Sequence, residues 1–284
     1  MRVLIVGCGY VGLPLGAELV RQGHEVWGLR RTLAAQEELE SAGIVPAAAD
    51  ITKPETLEVL PAGFDWVVHC VSSSHGGAEA YRQVYLDGTR NLLNWLGSSP
   101  PKKLVYTSST SVYGQGDGSL VHETSPAEPV TETARVLVET ERMLLDDVDQ
   151  CPAVILRVAG IYGPARGYWF QQYVKGEAKM DGRGERILNM LHRDDVVGAI
   201  LAALEHGRPG EVYNAVDDEP VSQLVLFQWL ADKLGRDLPP PAPAGVVASR
   251  KRGLTSKRVS NRKLKQQLGY HFKYPTFREG FAAC

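Results

Sequence analysis

Gly7-Cys8-Gly9-Tyr10-Val11-Gly12 follows the apolar run Val3-Leu4-Ile5-Val6. It opens a stretch to Arg21 that keeps Val11, Leu15 and Leu19 on one side. Strand, glycine turn, helix is the order that decides the fold. A G-x-G-x-x-G is weak by itself and strong between a strand and a helix. Gly7 permits the tight turn, Gly9 lets the backbone approach a pyrophosphate, and Gly12 lets the helix pack on the strand. N–H groups at the helix start, around Tyr10 and Val11, then face the phosphates. The competing reading is a plain strand–helix turn.

Outward from this unit, short apolar runs alternate with helical patterns. Glu25 to Leu29, Val45 to Ala48, Trp66 to Val71, Leu104 to Thr107 and Val154 to Val158 read as strands. Leu33 to Ala42, Ala78 to Leu96 and Arg135 to Leu145 read as helices, and Pro54 opens a short one. Most of the strands are apolar on both faces. That predicts an α/β, doubly wound parallel sheet of Rossmann type, covered on both sides. Later come a helix from Asp195 to Leu204, a short strand Val212-Tyr213-Asn214, and a helix from Val221 to Leu234 capped near Ser222. Pro239 to Pro243 is an extended connector.

The chain has 284 residues, 44% hydrophobic and 23% charged, with a formal net charge of −2. That length accommodates a large α/β domain with a smaller lobe. The charge balance excludes a chain built to coat nucleic acid or a membrane surface. No apolar run approaches the length of a membrane span. Cys8, Cys70, Cys151 and Cys284 form no C-x-x-C pair, so no metal or redox site is expected. The strand pattern starts at Arg2, so no leader is expected, and cytoplasm is the expected compartment.

In this fold the end of the second strand selects the cofactor. A carboxylate there accepts the ribose 2′-OH of NAD. This chain has Arg30-Arg31, and two guanidinium groups suit the 2′-phosphate of NADP. NADP is expected, with NAD second; a solvated basic turn is the alternative. Asp50-Ile51 follows the third strand, where adenine would lie. Asp50 either accepts from the exocyclic amine or caps a helix. Cys70, Val71 and Ser72 complete the expected cofactor wall. Cys8 and Cys70 read as small buried residues.

With the loop stand further segments in a fixed order. They are Val68-His69-Cys70-Val71, Asp87-Gly88-Thr89-Arg90-Asn91-Leu92-Leu93, and Val105-Tyr106-Thr107-Ser108-Ser109 with Val112-Tyr113-Gly114. Leu156-Arg157, Ile161-Tyr162-Gly163-Pro164, His192-Arg193-Asp194-Asp195, Val212-Tyr213-Asn214 and Leu268-Gly269 follow. Together they resemble the extended short-chain dehydrogenase/reductases, the NAD-dependent epimerase/dehydratase family, over nearly the whole chain. The resemblance implies a cofactor domain over 1–160, with 190–205 returning to it. It implies a substrate lobe from 161–189 and 206–284, and a small-molecule substrate such as a nucleotide sugar in the cleft. His192 and Asp195 would tie the two lobes together. Tyr162 and Asn189 would face the substrate. His75, in the Ser/Gly-rich loop after the fourth strand that should pass the nicotinamide, is read with them, a solvated loop histidine being the stronger alternative. Arg252, in the basic run from Arg250 to Lys265, would hold its diphosphate; a solvated face is the equal alternative. A homodimer through a bundle of the helices near 78–97 and 131–148 is also implied.

Three departures bear on the chemistry. The loop is one residue shorter than the family's usual G-x-x-G-x-x-G. The family's acid/base pair is a Tyr with a Lys four residues later. Counting back from Arg135-Val136-Leu137-Val138-Glu139 puts Thr131 at the Tyr position and Arg135 at the Lys position. Tyr85 stands where the family has an Asn. A phenol, of pKa near ~10, can be drawn toward neutrality by a cation, and an alkyl hydroxyl cannot. Arg135 can hold a nicotinamide ribose but keeps its proton. Ser109 matches the hydroxyl that hydrogen-bonds the reacting oxygen. Substitute proton carriers are Tyr85, Tyr113, Tyr81, Tyr162 and His75, with packing the stronger reading for Tyr113.

Two functions follow. One is an NADP-dependent oxidoreductase, epimerase or dehydratase with a non-standard proton donor. The other is a non-catalytic NADP(H)-binding redox sensor that regulates a partner.

Overall fold

A computed structural model describes residues 1–73, 77–146, 148, 150–243 and 255–283. His75 and Arg252 lie outside the described residues. The central sheet has seven strands: β1 (Arg2–Val6), β2 (Glu25–Arg30), β3 (Val45–Ala48), β4 (Trp66–His69), β5 (Lys103–Ser109), β6 (Ala153–Val158) and β7 (Val212–Ala215). Their order is β3-β2-β1-β4-β5-β6-β7, and all pairs are parallel. The order reverses between β1 and β4, which opens a crevice at their carboxyl ends. Val3 to Val6 and Ala153 to Leu156 are fully buried, as strands sandwiched between two helical layers must be.

The helices are α1 (Gly12–Arg21), α2 (Gln36–Ser41), and α3, which runs through Ala78–Tyr81, Arg82–Asp87 and Gly88–Leu96. Then come α4 (Glu132–Asp146), α5 (Tyr168–Val174), α6 (Arg193–His206), α7 (Gln223–Leu234), α8 (Arg262–Leu268) and α9 (Phe277–Ala282). α1 packs on α6, and α3 packs on α4. The middle of α3 is a π-helical turn, a widened turn frequent at functional sites. α7 starts as expected, with Ser222 Oγ accepting from Val225 N at 3.2 Å, and stops at Gly235 in the left-handed region.

A second hydrophobic cluster is built from Tyr162, Tyr173, Leu188, Met190, Phe227 and Phe277. It joins the segment after β6 to α5, α7 and α9. The expected division at 206–284 needs correction. β7 pairs with β6, and Val259, Leu264 and Leu268 pack into the main core. Val212-Tyr213-Asn214 has no exposed face to spare, so it extends the large sheet instead of the smaller lobe. His192 and Asp195 join the parts. Asp195 accepts from Tyr270 Oη at 2.7 Å and from the N–H groups of Lys273 and Tyr274. The His192 ring lies 4.1 Å from that of Tyr274.

Beneath the ends of β5 and β6 lies a buried charged network. Arg157 Nη2 sits 2.7 Å from Glu141 Oε2, and Arg157 Nε donates to both oxygens. Ser108 Oγ donates to Glu141 Oε1 at 2.5 Å. Arg157 Nη1 donates to Tyr113 Oη at 2.9 Å, and that hydroxyl donates to Asn214 Oδ1 at 2.8 Å. Burial works against the Arg157 charge, but the Glu141 contacts outweigh it and raise its pKa above the ordinary value. Removing one partner leaves a charge buried without compensation, which costs about 3–5 kcal/mol. Glu141→Gln should therefore lower unfolding free energy in urea by about that much. Glu141→Leu with Arg157→Met should lose less than the single variant. A single-variant loss below about 1 kcal/mol would show the network to be incidental.

Candidate functional site

A cavity of 920 Å³ runs over the carboxyl ends of β1, β2 and β4. Its floor is the glycine turn. Gly7 and Cys8 donate to the Leu29 carbonyl at 3.1 and 2.9 Å. A Cβ on Gly7 would lie 2.7 Å from Val71 N, and φ there is +93°. A Cβ on Gly12 would lie 2.7 Å from the Gly7 carbonyl oxygen. Both positions therefore exclude any side chain, for reasons of packing alone. Gly9 differs: a Cβ there would meet nothing within 4 Å, because the position opens on the cavity. Sterics inside the protein do not require glycine at Gly9; a backbone approached by a ligand does. No side chain caps the start of α1; the Leu13 N–H donates to the Gly9 carbonyl at 2.8 Å and Pro14 has no N–H, so it is the N–H groups around Tyr10, Val11 and Gly12 that remain to meet an acceptor in the cavity. These features fit a dinucleotide pyrophosphate.

Tyr10, Val11, Arg30, Arg31, Asp50, Ile51, Cys70, Val71 and Ser72 all line this cavity. Their roles differ. Arg30 donates to the Cys8 carbonyl and pairs with Glu38 at 3.0 Å, so it braces the turn. Arg31 is exposed and has no ion-pair partner among the described residues. It is the guanidinium free to meet a phosphate. Asp50 Oδ1 accepts from Thr52 N and Oγ1 at 3.0 and 2.8 Å, which is a local turn cap. Its other oxygen has no protein partner among the described residues. Tyr10 Oη donates to the Pro164 carbonyl at 3.1 Å, with Arg166 over its ring at 4.8 Å. It ties the loop to the second lobe. Burial pushes the Cys8 thiol up to about 12 and raises Cys70 further, so neither is a reactive thiolate.

A second cavity, of 510 Å³, lies between β5 and the smaller lobe. Tyr162, Trp169, Asn189, Phe281, Arg186 and Lys257 line it. Ser109 and Ile161 line both cavities, so the two meet at the end of β5. Ser109 is buried and caps the one-turn helix Thr110–Val112, its Oγ accepting from Ser111 N at 3.2 Å. Tyr162 is a wall residue: its ring packs 4.4 Å from Phe281 and its hydroxyl donates to the Thr276 carbonyl. Asn189 spends both ends of its amide on the backbone, donating to the Lys257 carbonyl and accepting from Val259 N, each at 2.9 Å. It holds the strand Arg258–Val259 in place.

Three catalytic expectations are corrected. Thr131 lines neither cavity; its Oγ1 accepts from Ala134 N at 3.3 Å and caps α4. Arg135 also lines neither; it is half exposed and pairs with Glu132 one turn back. The buried face of α4 instead carries Thr133, Leu137 and Glu141, and Leu137 lines the cofactor cavity. The helix starts at Glu132, so counting from Arg135 chose a register two residues off. Thr133 and Leu137 put a hydroxyl and an aliphatic chain toward the groove, and the Glu141 carboxylate is committed to Arg157 and Ser108, so this face offers no proton carrier. Tyr113 is the third correction. It is fully buried, lines neither cavity, and burial raises its phenol above the ordinary value. Tyr85 does line the cofactor cavity. It lies on the widened turn of α3, and its hydroxyl accepts from Ser73 N at 3.2 Å.

Sequence reasoning missed Arg186 and Lys257. Lys257 belongs to the basic run read as a solvated face or diphosphate holder. Arg258, Lys263 and Lys265 do turn outward, to Gly118, Glu211 and Asp218. Lys257 instead turns inward, just before the strand Arg258–Val259, which is too short to show a period.

Residues 3–215 match the model of the "NAD dependent epimerase/dehydratase family". Protein YeeZ of Escherichia coli K12 is 30% identical over 281 residues, spanning 96% of each chain. A "3-diazoavenalumate denitrifying reductase" of a Streptomyces species is 27% identical and spans 99% of each chain. The solved structure of DesIV, a dTDP-glucose 4,6-dehydratase of Streptomyces venezuelae with NAD and TYD bound, superposes with a TM-score of 0.81. It is 25% identical and covers 99% of this chain and 95% of its own. With the seven-strand order and the glycine turn already in hand, the chain belongs to the NAD-dependent epimerase/dehydratase family.

Proposed function

We propose that this protein is an NADP(H)-dependent oxidoreductase, epimerase or dehydratase. Its substrate is a nucleotide sugar or a similar small alcohol or ketone, and its proton carrier is not the usual Tyr-x-x-x-Lys pair. The observation that carries the reading is the junction at Ser109. A dinucleotide-shaped groove and a separate apolar cavity meet at one buried hydroxyl, as hydride transfer between two bound molecules requires. A regulatory sensor needs the first cavity and has no use for the second. The dehydratase likeness supports a nucleotide sugar. No described helix is long and apolar enough to cross a membrane. Cys8, Cys70 and Cys151 are free thiols. Both accord with work in the cytoplasm. Pairing of two copies would use the outer faces of α3 and α4, which the Arg82–Glu139 ion pair links at 3.0 Å.

Bound nicotinamide dinucleotide would supply or accept the hydride. Gly9 and the start of α1 would hold its pyrophosphate, Arg31 its 2′-phosphate and Asp50 its adenine. One charge-assisted phosphate contact is worth about 1.5–3 kcal/mol, or roughly ten- to a hundredfold in affinity. A native mass spectrum in equal NADPH and NADH should show the NADPH complex in excess by that order. Arg31→Ala should erase the excess. Equal capture of both by the unaltered protein would overturn the NADP preference, and capture of neither would overturn the function.

Ser109 would hold the reacting oxygen. Ser109→Ala should cut kcat by roughly a hundredfold or more, with dinucleotide affinity unchanged. A turnover screen against nucleotide sugars and small ketones is the assay. Near-normal turnover in the variant would remove Ser109 from the chemistry.

A further inference from the structure

Lys257 is a buried ammonium in the wall of the substrate cavity, 4% exposed, with no carboxylate beside it among the described residues. Its Nζ donates to the Tyr113 carbonyl at 2.8 Å and to Thr255 Oγ1 at 2.8 Å. Both acceptors are neutral. An ammonium has three donors, so one is uncommitted. The Tyr113 bond sets Nζ beside the chain leaving Ser109, since Tyr113 follows the one turn that Ser109 caps.

The charged groups around Lys257 are few. Arg186 shares the cavity wall and is paired with Asp181 at 3.1 Å. Beyond Tyr113, Arg157 and Glu141 neutralise each other. A buried charge with no counter-charge is costly, and the cost falls when the group gives up its proton. Burial, and then the Arg186 charge, bring the Lys257 ammonium down to about 8.

The alternatives are weaker. Tyr81 and Tyr85 line the cofactor cavity only, and the Tyr85 hydroxyl accepts from Ser73 N. The Tyr113 hydroxyl is committed to Arg157 and Asn214, away from both cavities. Arg135 faces solvent and cannot release a proton.

We propose that Lys257 is the proton carrier of the reaction, acting on the substrate oxygen held at Ser109. This rests on the enzyme reading above. In the reducing direction the carbonyl carbon accepts hydride from the reduced nicotinamide dinucleotide. The carbonyl oxygen takes a proton from the Lys257 ammonium, and the amine regains one from water. In the oxidising direction the oxidised dinucleotide would take hydride from the carbinol carbon, and the hydroxyl proton would pass to the neutral amine. The smaller lobe thus supplies what the buried face of α4 lacks.

Two measurements test this on the full chain. The first needs no turnover: the Lys257 side-chain resonances, assigned with Lys257→Arg, are titrated by NMR with NADP+ present. A midpoint near 8 supports the assignment, and one at the ordinary lysine value, about 10.4, overturns it. The second uses a substrate from the screen. With NADPH, kcat should fall as pH rises through about 8, because the protonated form gives the proton. Lys257→Arg keeps the charge without a removable proton. It should lower kcat by roughly 10²–10⁴-fold, shift KM little and lose that pH break. Lys257→Gln, checked for a cooperative unfolding transition, should do the same. A kcat within tenfold of the unaltered protein, or a break that moves with Tyr85→Phe instead, overturns the proposal. An unaltered protein that turns over nothing in the screen fails the enzyme reading itself, and the NMR midpoint then decides Lys257 separately.

Discussion

The ion pair between Glu141 and Arg157 is where the architecture is pinned. It fastens α4 to β6, and through Ser108 it fastens both to β5 one residue before the hydroxyl at which the cavities meet. Through Tyr113 and Asn214 it reaches β7, at the sheet's edge. Within this network each buried polar group is answered by another. Such a network fixes geometry more than it adds stability, because desolvation offsets most of the Coulomb gain. Ser109 inherits the result: its backbone cannot shift without breaking contacts to three strands and a helix.

The glycines show two different constraints in one turn. Gly7 and Gly12 are required by the protein, since a Cβ would strike backbone 2.7 Å away. Gly9 is not, and the space before it is open. A strand–helix turn serving structure alone would leave that position free for any residue. The turn that builds the fold therefore also carries the strongest local sign of a ligand.

Much of this was legible in the sequence, because the evidence was periodic or local. Apolar runs such as Val3 to Val6 reveal buried parallel strands, and the strand–turn–helix order reveals the cofactor groove. The residues from Tyr10 to Ser72 that line the groove could be named because they sit at strand ends. The acid/base residues could not. The start of α4 depends on the Thr131 cap, and a two-residue error there exchanged the buried face for the exposed one. Lys257 was hidden because it lies just before a two-residue strand, and nothing in a run of basic residues tells which one turns inward. Tyr113, by its motif, and Asn189 are candidates on sequence, yet their hydrogen bonds are spent within the protein.

The chemistry is consequently divided between two parts of the molecule. The large sheet offers the groove and the Ser109 hydroxyl. The smaller lobe offers aromatic walls and two cations. Neither part holds a complete site, so the account depends first on a dinucleotide occupying the groove in the stated place. Hydrogen exchange with and without NADP+, read by mass spectrometry, tests that most directly. The account predicts slowed exchange over Gly7 to Gly12, around Arg30-Arg31 and at Val71-Ser72, with little change at Thr131 to Arg135. Unchanged exchange over Gly7 to Gly12, or protection centred on Thr131 to Arg135, would contradict it.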